Sequence, residues 1–551
     1  MKIYNFLTLL FLVLIVKPAL AQISPYSWDH LPQARLPVFK SDTFNIVKYG
    51  AKPDGITLNT ECINKAIDAC SANGGGVVVI PSGIWITGPI ILKSNVNLHI
   101  NRSALLQFTA DKSQYHLLKG DFEGHASIRN QSPIAGTDLE NIAITGEGII
   151  DGHGEAWRPM GKDKTTEPEW KQLITSGIVS ADGKTWYPSE SYAKGAKTPN
   201  AGTFTESSTL KSFEDIKDFF RPNLLVLNNC KKVLLQNTTF QNSPAWCLHT
   251  LLCENLTFDG VRVKNEINAQ NGDGMDIESC SYVSVQNCTL DCGDDGICIK
   301  SGKDEEGRMR GKASQYIVIK NNVVYKAHGG FVIGSEMSGG AHDIFVENCT
   351  FIGTDNGLRF KTVRGRGGIV ENIFIRNMRM SNIGHDAITF DMYYFTKAPA
   401  LSRANGKAEI LESNAGTPQF RNFFIDNLVC DGADRGMLIR GLPEMSIQNI
   451  YISNSKIRAT HGADIIEAKN IFFQDVTFAC SNTRPLINIE NSQQLTFDRI
   501  FSQKQPELFF SINGDRSKQI NVQHTNISEV RSQVDFNYGA DKSVLKITKD
   551  K

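Results

Sequence analysis

Three aspartates near the middle of the chain have the type and spacing required for acid–base chemistry. Asp294 and Asp295 are adjacent, and Asp273 lies 21 residues before Asp294. Hydrolysis of a glycosidic bond needs one carboxyl group that protonates the leaving oxygen and another that acts as base or nucleophile. An isolated Asp-Asp pair is more often a solvated turn or a calcium ligand. The candidate chemistry therefore depends on whether the fold brings the third aspartate to the pair.

A histidine and two cations follow the acids at similar intervals. His328 lies 33 residues after Asp295. Arg359 and Lys361 lie 31 and 33 residues after His328. Because strand residues alternate between faces, both cations should share one face while Phe360 points into the core. We predict that they bind a substrate carboxylate, for which the planar arginine fork is well suited.

The elements that must position these residues are short repeated segments. Each alternates apolar and polar residues and ends in Asn, Asp, Gly or Arg. Alternation at period two predicts strands, and a repeat of roughly 21–34 residues predicts stacked coils. We therefore predict an all-β fold, a right-handed parallel β-helix. The segments end at Asn237, Gly260, Asn287, Asn321, Asn348, Asn377, Asn427, Asn454, Asp475 and Arg499, and the one interval of 50 indicates two coils or one long loop.

Stacking would bring the acids together. Neighbouring coils are about 4.8 Å apart, and carboxylates at that distance repel, which raises the pKa of at least one of them. Adjacent strand residues point to opposite faces, so Asp294 and Asp295 need a bulge or turn in order to face one groove. We predict that Gly293 and Gly296 permit it.

The N-terminus and the composition predict where the protein acts. Residues 1–21 combine Lys2, an apolar run and Ala19-Leu20-Ala21, which is typical of a secretory signal peptide. We expect a secreted protein, periplasmic or extracellular. With 58 basic and 58 acidic side chains, it has no global field that would attract nucleic acid or membrane. We expect no such partner, no cofactor and no metal, and a monomer.

Residues 22–551 are predicted to form a single β-helix domain with additions. Ile63, Ala66, Ile67 and Cys70 are spaced as one face of a helix from Thr60 to Cys70, with Asn59 or Thr60 as N-cap. This helix should cover the N-terminal edge. The polar stretch at 160–220 is predicted to form a wall of the groove. Residues 500–551 should form C-terminal strands and a tail.

Twelve cysteines in an exported protein leave two alternatives open. Their irregular spacing, and positions such as Cys288 and Cys349 within strand segments, favour free thiols buried in the core. One or two disulfides are the alternative.

These motifs resemble those of glycoside hydrolase family 28, the polygalacturonases. That family's Asn-x-Asp, Asp-Asp, His-Gly and Arg-x-Lys motifs match in order, and the resemblance extends over about 44–480. Two positions depart from the usual pattern, Gly272 in the first motif and Ala327 before the histidine. The matching motifs are Asn271-Gly272-Asp273, Asp294-Asp295, His328-Gly329 and Arg359-Phe360-Lys361.

The resemblance implies hydrolysis of galacturonosidic bonds in pectin without metal and with inversion. It implies that Asp294 is the general acid and that Asp273 and Asp295 position and deprotonate water. By the same resemblance His328 supports the acid, and Arg359 with Lys361 binds a galacturonate. Stretches at 334–340 and 390–394 are similar to those of bacterial exo-acting members.

Further binding candidates and two alternative functions remain open at this stage. Tyr393 or Tyr394 could contact a sugar ring, although packing within the fold explains them equally well. Lys300, after the acid pair, is a secondary binding candidate. Read as oxygen ligands, the three aspartates would suit a calcium-dependent pectate lyase on the same fold. The other alternative is a non-catalytic β-solenoid that binds carbohydrate or serves as a surface protein.

Overall fold

A computed structural model describes residues 24–204, 208–398, 409–525, 527, 530 and 532–548. Its main strands wind into stacked coils, and the same position on successive coils pairs in parallel. The predicted all-β parallel solenoid is therefore confirmed. The predicted signal peptide at 1–21 lies outside the described residues.

One face of the solenoid is a 14-stranded parallel sheet, which we call the site sheet. Its strands are Ile90–Ile91, Ile134–Thr137, Leu225–Asn228, Leu248–Leu251, Met275–Glu278, Ile297–Lys300, Phe331–Ile333, Leu358–Lys361, Asp386–Asp391, Arg435–Arg440, His461–Ile466, Ile487–Glu490, Leu508–Asn513 and Ser532–Asn537.

The rest of each coil belongs to a 25-stranded sheet, the second sheet. Its strands are Thr43–Asn45, Asp54–Leu58, Gly76–Ile80, Gly83–Thr87, Val96–Ile100, Ala104–Phe108, Glu140–Thr145, Ile149–Asp151, Lys231–Gln236, Thr239–Gln241, Glu254–Asp259, Arg262–Lys264, Ser281–Gln286, Thr289–Asp291, Ser314–Lys320, Val323–Tyr325, Ala341–Glu347, Thr350–Ile352, Ile369–Ser381, Gln419–Asp431, Ile447–Ala459, Ala468–Cys480, Gln493–Ser502, Lys518–Gln523 and Leu545–Thr548.

Asparagines turn the chain at corners of the second sheet. Asn237, Asn287 and Asn348 have φ values of 62°, 57° and 54°. Asparagine tolerates this left-handed conformation better than most residues, which explains why the repeated segments end on it. The 50-residue interval is one coil with a long loop, because the Asn427 side chain donates to that of Asn377 at 2.7 Å.

The predicted covering helix is present as Thr60–Ala72, and its four predicted apolar residues are all buried. Asn59 occupies the N-cap position, but its side chain makes no capping hydrogen bond to the helix. It donates instead to the Thr57 carbonyl at 2.8 Å. The helix therefore begins through packing of its apolar face against the first coil rather than through a side-chain cap.

Smaller elements are added around the coils. Residues 160–220, the insertion, include a three-stranded antiparallel sheet, and residues 117–130 form an antiparallel hairpin. The remaining α-helices are Glu167–Leu173, Glu190–Lys197 and Asp304–Arg310; the 3-10 helices are Ile46–Tyr49, Lys112–Gln114, Gly154–Ala156, Lys162–Lys164, Leu210–Phe219 and Lys542–Val544; the additional strands are Leu117–Phe122, His125–Asn130, Met160–Gly161, Ile178–Val179 and Thr185–Tyr187.

The segment 24–40, which we call the N-terminal strap, crosses the outside of the second sheet. Tyr26 meets Tyr316 edge-on at 5.2 Å, and Trp28 meets Phe345 at 5.3 Å. The Arg376 guanidinium lies 3.8 Å from the Trp28 ring centre. The strap thus joins the start of the described chain to coils in its middle.

All twelve cysteines are free, and eleven of them are buried. This confirms the prediction of core thiols over a disulfide network. Among the described residues, no helix combines the length and apolarity required to span a membrane.

Candidate functional site

Strand register aligns two of the predicted acids. Met275 pairs with Ile297, so Asp273 and Asp295, each two residues earlier, occupy the same position on adjacent coils. The Gly274 amide donates to the Asp295 carbonyl at 2.9 Å and maintains this alignment ahead of the strands. Two carboxylates 22 residues apart in sequence thus become direct neighbours.

The third acid joins them in the bend that precedes Ile297–Lys300. Asp273, Asp294 and Asp295 each offer an oxygen atom, and these atoms lie within 4.8 Å of one another. Because the pair lies before the strand, the alternation of a regular strand does not force its two side chains apart. The predicted grouping of three acids is therefore present.

The glycines on either side of the acid pair permit the bend because they have no side chain. A Cβ atom on Gly293 would lie 2.5 Å from the Glu266 carbonyl oxygen, and one on Gly296 would lie 2.6 Å from Val324 Cγ1. Neither glycine has a φ in the left-handed region. The predicted turn is present as this bend, and the glycines permit it through close packing against neighbouring coils rather than through a left-handed conformation.

Two cations hold Asp295. Lys361 Nζ lies 2.7 Å from Oδ2 of Asp295, and Arg359 Nη1 lies 3.1 Å from Oδ1. Burial by itself raises the pKa of this carboxyl, but the charges of Lys361, Arg359 and Lys300 outweigh it and hold the pKa well below the usual range. Phe360, between the two cations, is fully buried in the core. Asp295 is consequently ionised across the physiological range.

The pKa of the Asp273 carboxyl is shifted in the opposite direction. Its side chain is 3% exposed, and its Oδ1 has no hydrogen-bond partner within the described parts of the chain. Burial raises the pKa of the Asp273 carboxyl well above its usual value, and the charges of Asp276 and Asp294 raise it further. The surroundings therefore raise the pKa of Asp273 and lower that of Asp295.

Asp294 and His328 form a hydrogen-bonded pair. Oδ1 of Asp294 lies 2.9 Å from His328 Nδ1 and accepts from the Asp295 amide at 2.9 Å. The hydrogen bond to Asp294 raises the pKa of the His328 imidazole. With side chains 23% and 48% exposed, these two residues are the more accessible part of the site. They are placed to meet a bound ligand.

The two predicted tyrosines are in different places. The Tyr394 ring centre lies 4.8 Å from Lys361 Nζ and 5.6 Å from the Arg359 guanidinium, so it belongs to the site. Tyr393 is 5% exposed and its hydroxyl accepts from Arg364 at 3.5 Å. Tyr393 is packed in the fold and lies apart from the three acids.

Lys300 lies buried next to the site and does not face the solvent. Its Nζ lies 3.0 Å from Glu336 and 3.5 Å from Asp276, and all three residues are buried. The charge of Lys300 contributes to the low pKa of Asp295. With both neighbouring carboxylates within ion-pair distance, Lys300 acts on the site electrostatically rather than as an exposed binding group.

Sequence reasoning missed the partners of Lys300. Asp276 and Glu336 are absent from the predicted site residues. Burial raises the pKa of Asp276 to about 7, whereas Lys300 and Lys361 outweigh burial and lower that of Glu336 to about 2. Trp246, whose ring centre lies 4.7 Å from Lys300 Nζ, was also missed. Strand register, which pairs Glu278 with Lys300 and Asp276 with Cys298, was the usable signal.

The three acids also have the arrangement of a possible cation site. Both oxygens of Asp295 already contact cationic side chains, and those positive charges would repel a divalent ion. Oδ1 of Asp294 accepts two hydrogen bonds. The donor set therefore fits proton chemistry better than calcium coordination.

Clustered carboxylates beside a histidine and two cations, on one face of a parallel β-helix, can supply the acid and the base that glycoside hydrolysis requires. Residues 200–411, which include every predicted site residue, match the model described as Glycosyl hydrolases family 28. The chain is therefore a glycoside hydrolase, and the region that carries its site is similar to that family. Residues 43–168 match a second model, described as Rhamnogalacturonase A/epimerase, pectate lyase-like.

Individual proteins that are similar to this chain include enzymes that act on polygalacturonate. An exo-poly-alpha-D-galacturonosidase of Dickeya chrysanthemi is 28% identical over 79% of this chain and 70% of its own length. The structure of an exopolygalacturonase from Thermotoga maritima aligns with a TM-score of 0.64 and 28% identity, covering 85% of this chain and 94% of that one. A family 28 exopolygalacturonase of Yersinia enterocolitica, 23% identical with a TM-score of 0.65 over 84% and 79% of the two chains, shares the fold.

Proposed function

We propose that the protein is an exported, exo-acting polygalacturonase that hydrolyses α-1,4-galacturonosidic bonds of pectin with inversion. The observation that carries the proposal is the buried Asp295 carboxylate, held by Lys361 and Arg359 beside Asp273 and Asp294. It supplies an ionised base, a proton-bearing neighbour and cations for an acidic sugar in one place. The related exo-acting enzymes support this substrate class.

The charge states suggest a division of labour. The hydrogen-bonded pair of Asp294 and His328 holds the proton that passes to the leaving glycosidic oxygen as its bond to the anomeric carbon breaks. Ionised Asp295 takes a proton from water as the new carbon–oxygen bond forms. Protonated Asp273 donates a hydrogen bond to that water. Carboxylate oxygens that lie within 4.8 Å of one another suit this role, because a water that contacts two of them at about 2.8 Å can bridge such a separation.

Recognition of the substrate carboxylate falls to Arg359 and Lys361. The Arg359 side chain is 18% exposed, and only Nη1 of its guanidinium is the donor to Asp295. Its remaining donors can therefore contact a galacturonate carboxylate. Tyr394 packs beside both cations and supports their position.

Closure of one end of the groove supports exo action. Arg310 Nη1 contacts Glu278 at 2.6 Å, and Arg310 Nη2 contacts Asp121 on the 117–130 hairpin at 2.5 Å. Phe122 on the same hairpin packs 5.1 Å from Trp246. All four residues of strand Met275–Glu278 are buried, so the outer face of the Asp273 coil is covered. A polymer could then enter past the acids by one end only.

Inversion rests on the family resemblance. In inverting enzymes the two carboxyl groups are usually about 6.5–9.5 Å apart. Here one oxygen from each of the three aspartates lies within 4.8 Å of the others. Proton NMR of the first product formed tests the stereochemistry directly. Initial appearance of the β-anomer from the α-linked substrate supports inversion, and the α-anomer contradicts it.

Chromatography of products from defined oligogalacturonides tests the exo-acting polygalacturonase proposal. We expect single galacturonate units from the outset and a substrate shortened stepwise. An initial ladder of intermediate lengths would contradict exo action, and no cleavage would contradict the substrate. Arg310→Ala should loosen the closed end and add longer products, whereas Arg102→Ala, an exposed arginine distant in sequence from the site, should leave the pattern unchanged.

A further inference from the structure

A second cleft lies beside the acids, between the insertion and the coils. Its volume is about 1170 Å³. Met160, Trp186 and the helix Glu167–Leu173 form one wall, and Lys264 and Asp291 lie on the other. The insertion therefore does more than cover the solenoid, because it encloses a space large enough for a ligand.

The cleft opens sideways from the catalytic groove. Asp291 and Lys326 line it, and they precede Asp294 and His328 by three and two residues along their coils. The catalytic residues follow one another from coil to coil, so a polymer across them runs along the stacking direction. The cleft is offset at right angles to that direction. It is therefore placed for a branch of the polymer and not for its backbone.

One loop, residues 265–271, separates the cleft from the acids. Asn268 lines the cleft, and the next residue, Ala269, packs with its carbonyl against Gly293. A Cβ atom on Gly293 would lie 2.6 Å from that carbonyl oxygen. The same loop continues directly into Asp273. A ligand in the cleft would thus contact a loop that also positions two of the acids.

The lining favours a neutral polar ligand. It contains three lysines and four acids, so it lacks the positive excess of the catalytic groove. The amides of Gln172 and Asn242 and the hydroxyl residues Thr175 and Ser176 line the space, and Ile267, at 69% exposed, adds an apolar surface. Sugars without a carboxylate present hydroxyl groups and apolar C–H faces together, which matches this mixture.

Asn268 provides an independent indication. Its Oδ1 is buried and has no hydrogen-bond partner among the residues that the structure describes. A buried acceptor left without a partner destabilises the protein, so a ligand hydroxyl that donates to it would be favoured. Its Nδ2 lies 3.7 Å from Met160 Sδ across the cleft, a weak contact that a ligand can replace.

We propose that this cleft binds a neutral-sugar substituent of a galacturonan. The backbone of that galacturonan lies in the catalytic groove, with the bond to be cleaved beside Asp294. The assignment rests on the proposed function for the backbone, and it adds a substrate class to it. The enzyme then accepts branched galacturonan because the branch binds in the cleft while the backbone binds in the catalytic groove.

A bulky residue in the cleft tests the proposal. Thr175 lines it and is exposed, so Thr175→Trp should fill the space without disturbing the core. Lys171→Trp, on the neighbouring helix but outside the cleft lining, is the matched control. The probes are an unsubstituted oligogalacturonide and one of equal backbone length that carries single xylose residues.

We expect Thr175→Trp to lower kcat/KM for the xylose-substituted probe at least tenfold and to change that for the unsubstituted probe less than twofold. The Lys171→Trp control should change neither. Equal effects on both probes, or no effect on either, would overturn the proposal. Asn268→Ala should weaken use of the xylose-substituted probe in the same selective manner.

Binding separates this proposal from the proposed function. If the unaltered protein cleaves neither probe, the hydrolytic assignment fails, and calorimetry with the xylose-substituted probe still tests the cleft. Binding that is lost in Thr175→Trp but kept in Lys171→Trp supports the cleft. Equal binding by all three proteins, or no binding by the unaltered protein, rejects it.

Discussion

Asp273 and Asp295 occupy the same position on adjacent coils, yet their surroundings shift the pKa values of their carboxyl groups in opposite directions. Both are almost fully buried, so desolvation raises the pKa of each. The difference comes from Lys361 and Arg359, which contact Asp295 alone. The repeat provides two equivalent acids, and strand Leu358–Lys361 makes them different. Such divergence is what separates an acid from a base in one site.

Lys361→Met should inactivate the enzyme and shift its pH profile. Loss of the charged hydrogen bond should raise the pKa of Asp295, so the acidic limb of the kcat/KM profile moves to higher pH. Removal of a buried charged partner should lower kcat/KM at neutral pH by roughly 100-fold. Steady-state rates across pH on oligogalacturonides measure both effects. Lys456→Met, at an exposed position on the second sheet, is the control, and an unmoved acidic limb would refute the role given to Lys361.

His328→Gln should act on the alkaline limb. The hydrogen bond that His328 donates to Asp294 raises the pKa of His328, so the shared proton is held to higher pH and is lost as the pH rises through that raised pKa. Glutamine cannot carry the proton, and kcat should fall by about 10²–10⁴. Measurement of kcat across pH for His328→Gln and for the unaltered enzyme tests this prediction. An alkaline limb identical to that of the unaltered enzyme would show that the proton resides elsewhere.

A chelator should leave the reaction unchanged. Lys361 and Arg359 already occupy Asp295, so a divalent ion would meet two positive charges. We expect equal rates with and without EDTA, and reducing ends without an unsaturated product that absorbs ultraviolet light. Loss of activity with EDTA that calcium restores, together with the absorbing product, would instead identify a lyase.

Asp273→Asn should abolish activity and reduce the loss of stability as pH rises. The folded protein raises the pKa of this carboxyl, so between the unfolded and the folded pKa the folded state binds more protons and stability falls with increasing pH. Asparagine removes that dependence. Urea unfolding at pH 4 and pH 7 measures the free energy of unfolding of both proteins. The variant should gain more over the unaltered protein at pH 7 than at pH 4, by about 1.4 kcal/mol for each unit by which folding raises the pKa. Parallel curves for the two proteins would show that Asp273 is ionised when folded.

The solenoid and the acid cluster could be predicted because both follow from periodicity. Alternation gives the strands, and the distances between Asp273, Asp294 and His328 match one coil each. Stacking then places the residues together without further information. The covering helix was predictable for the same reason, since its four apolar positions have the spacing of a single face.

The parts that were missed depend on segments without a repeat. The 117–130 hairpin closes the groove through Arg310, although nothing in its spacing indicates which coil it reaches. The choice between Tyr393 and Tyr394 depends on a turn after strand Asp386–Asp391, where alternation no longer applies. The reason that Gly293 must be a glycine lies in its close contact with the neighbouring coil, which local sequence does not reveal.

The N-terminal strap changes how such a molecule should unfold. Coils of a solenoid contact only their neighbours, so each end could fray separately. Through Trp28 and Phe345 the first described residues are fastened to coils more than half the chain away. Those coils form only after most of the polypeptide has been made, so the fastening must be a late step in folding. Once it is in place, the middle of the solenoid and its beginning should melt as one unit.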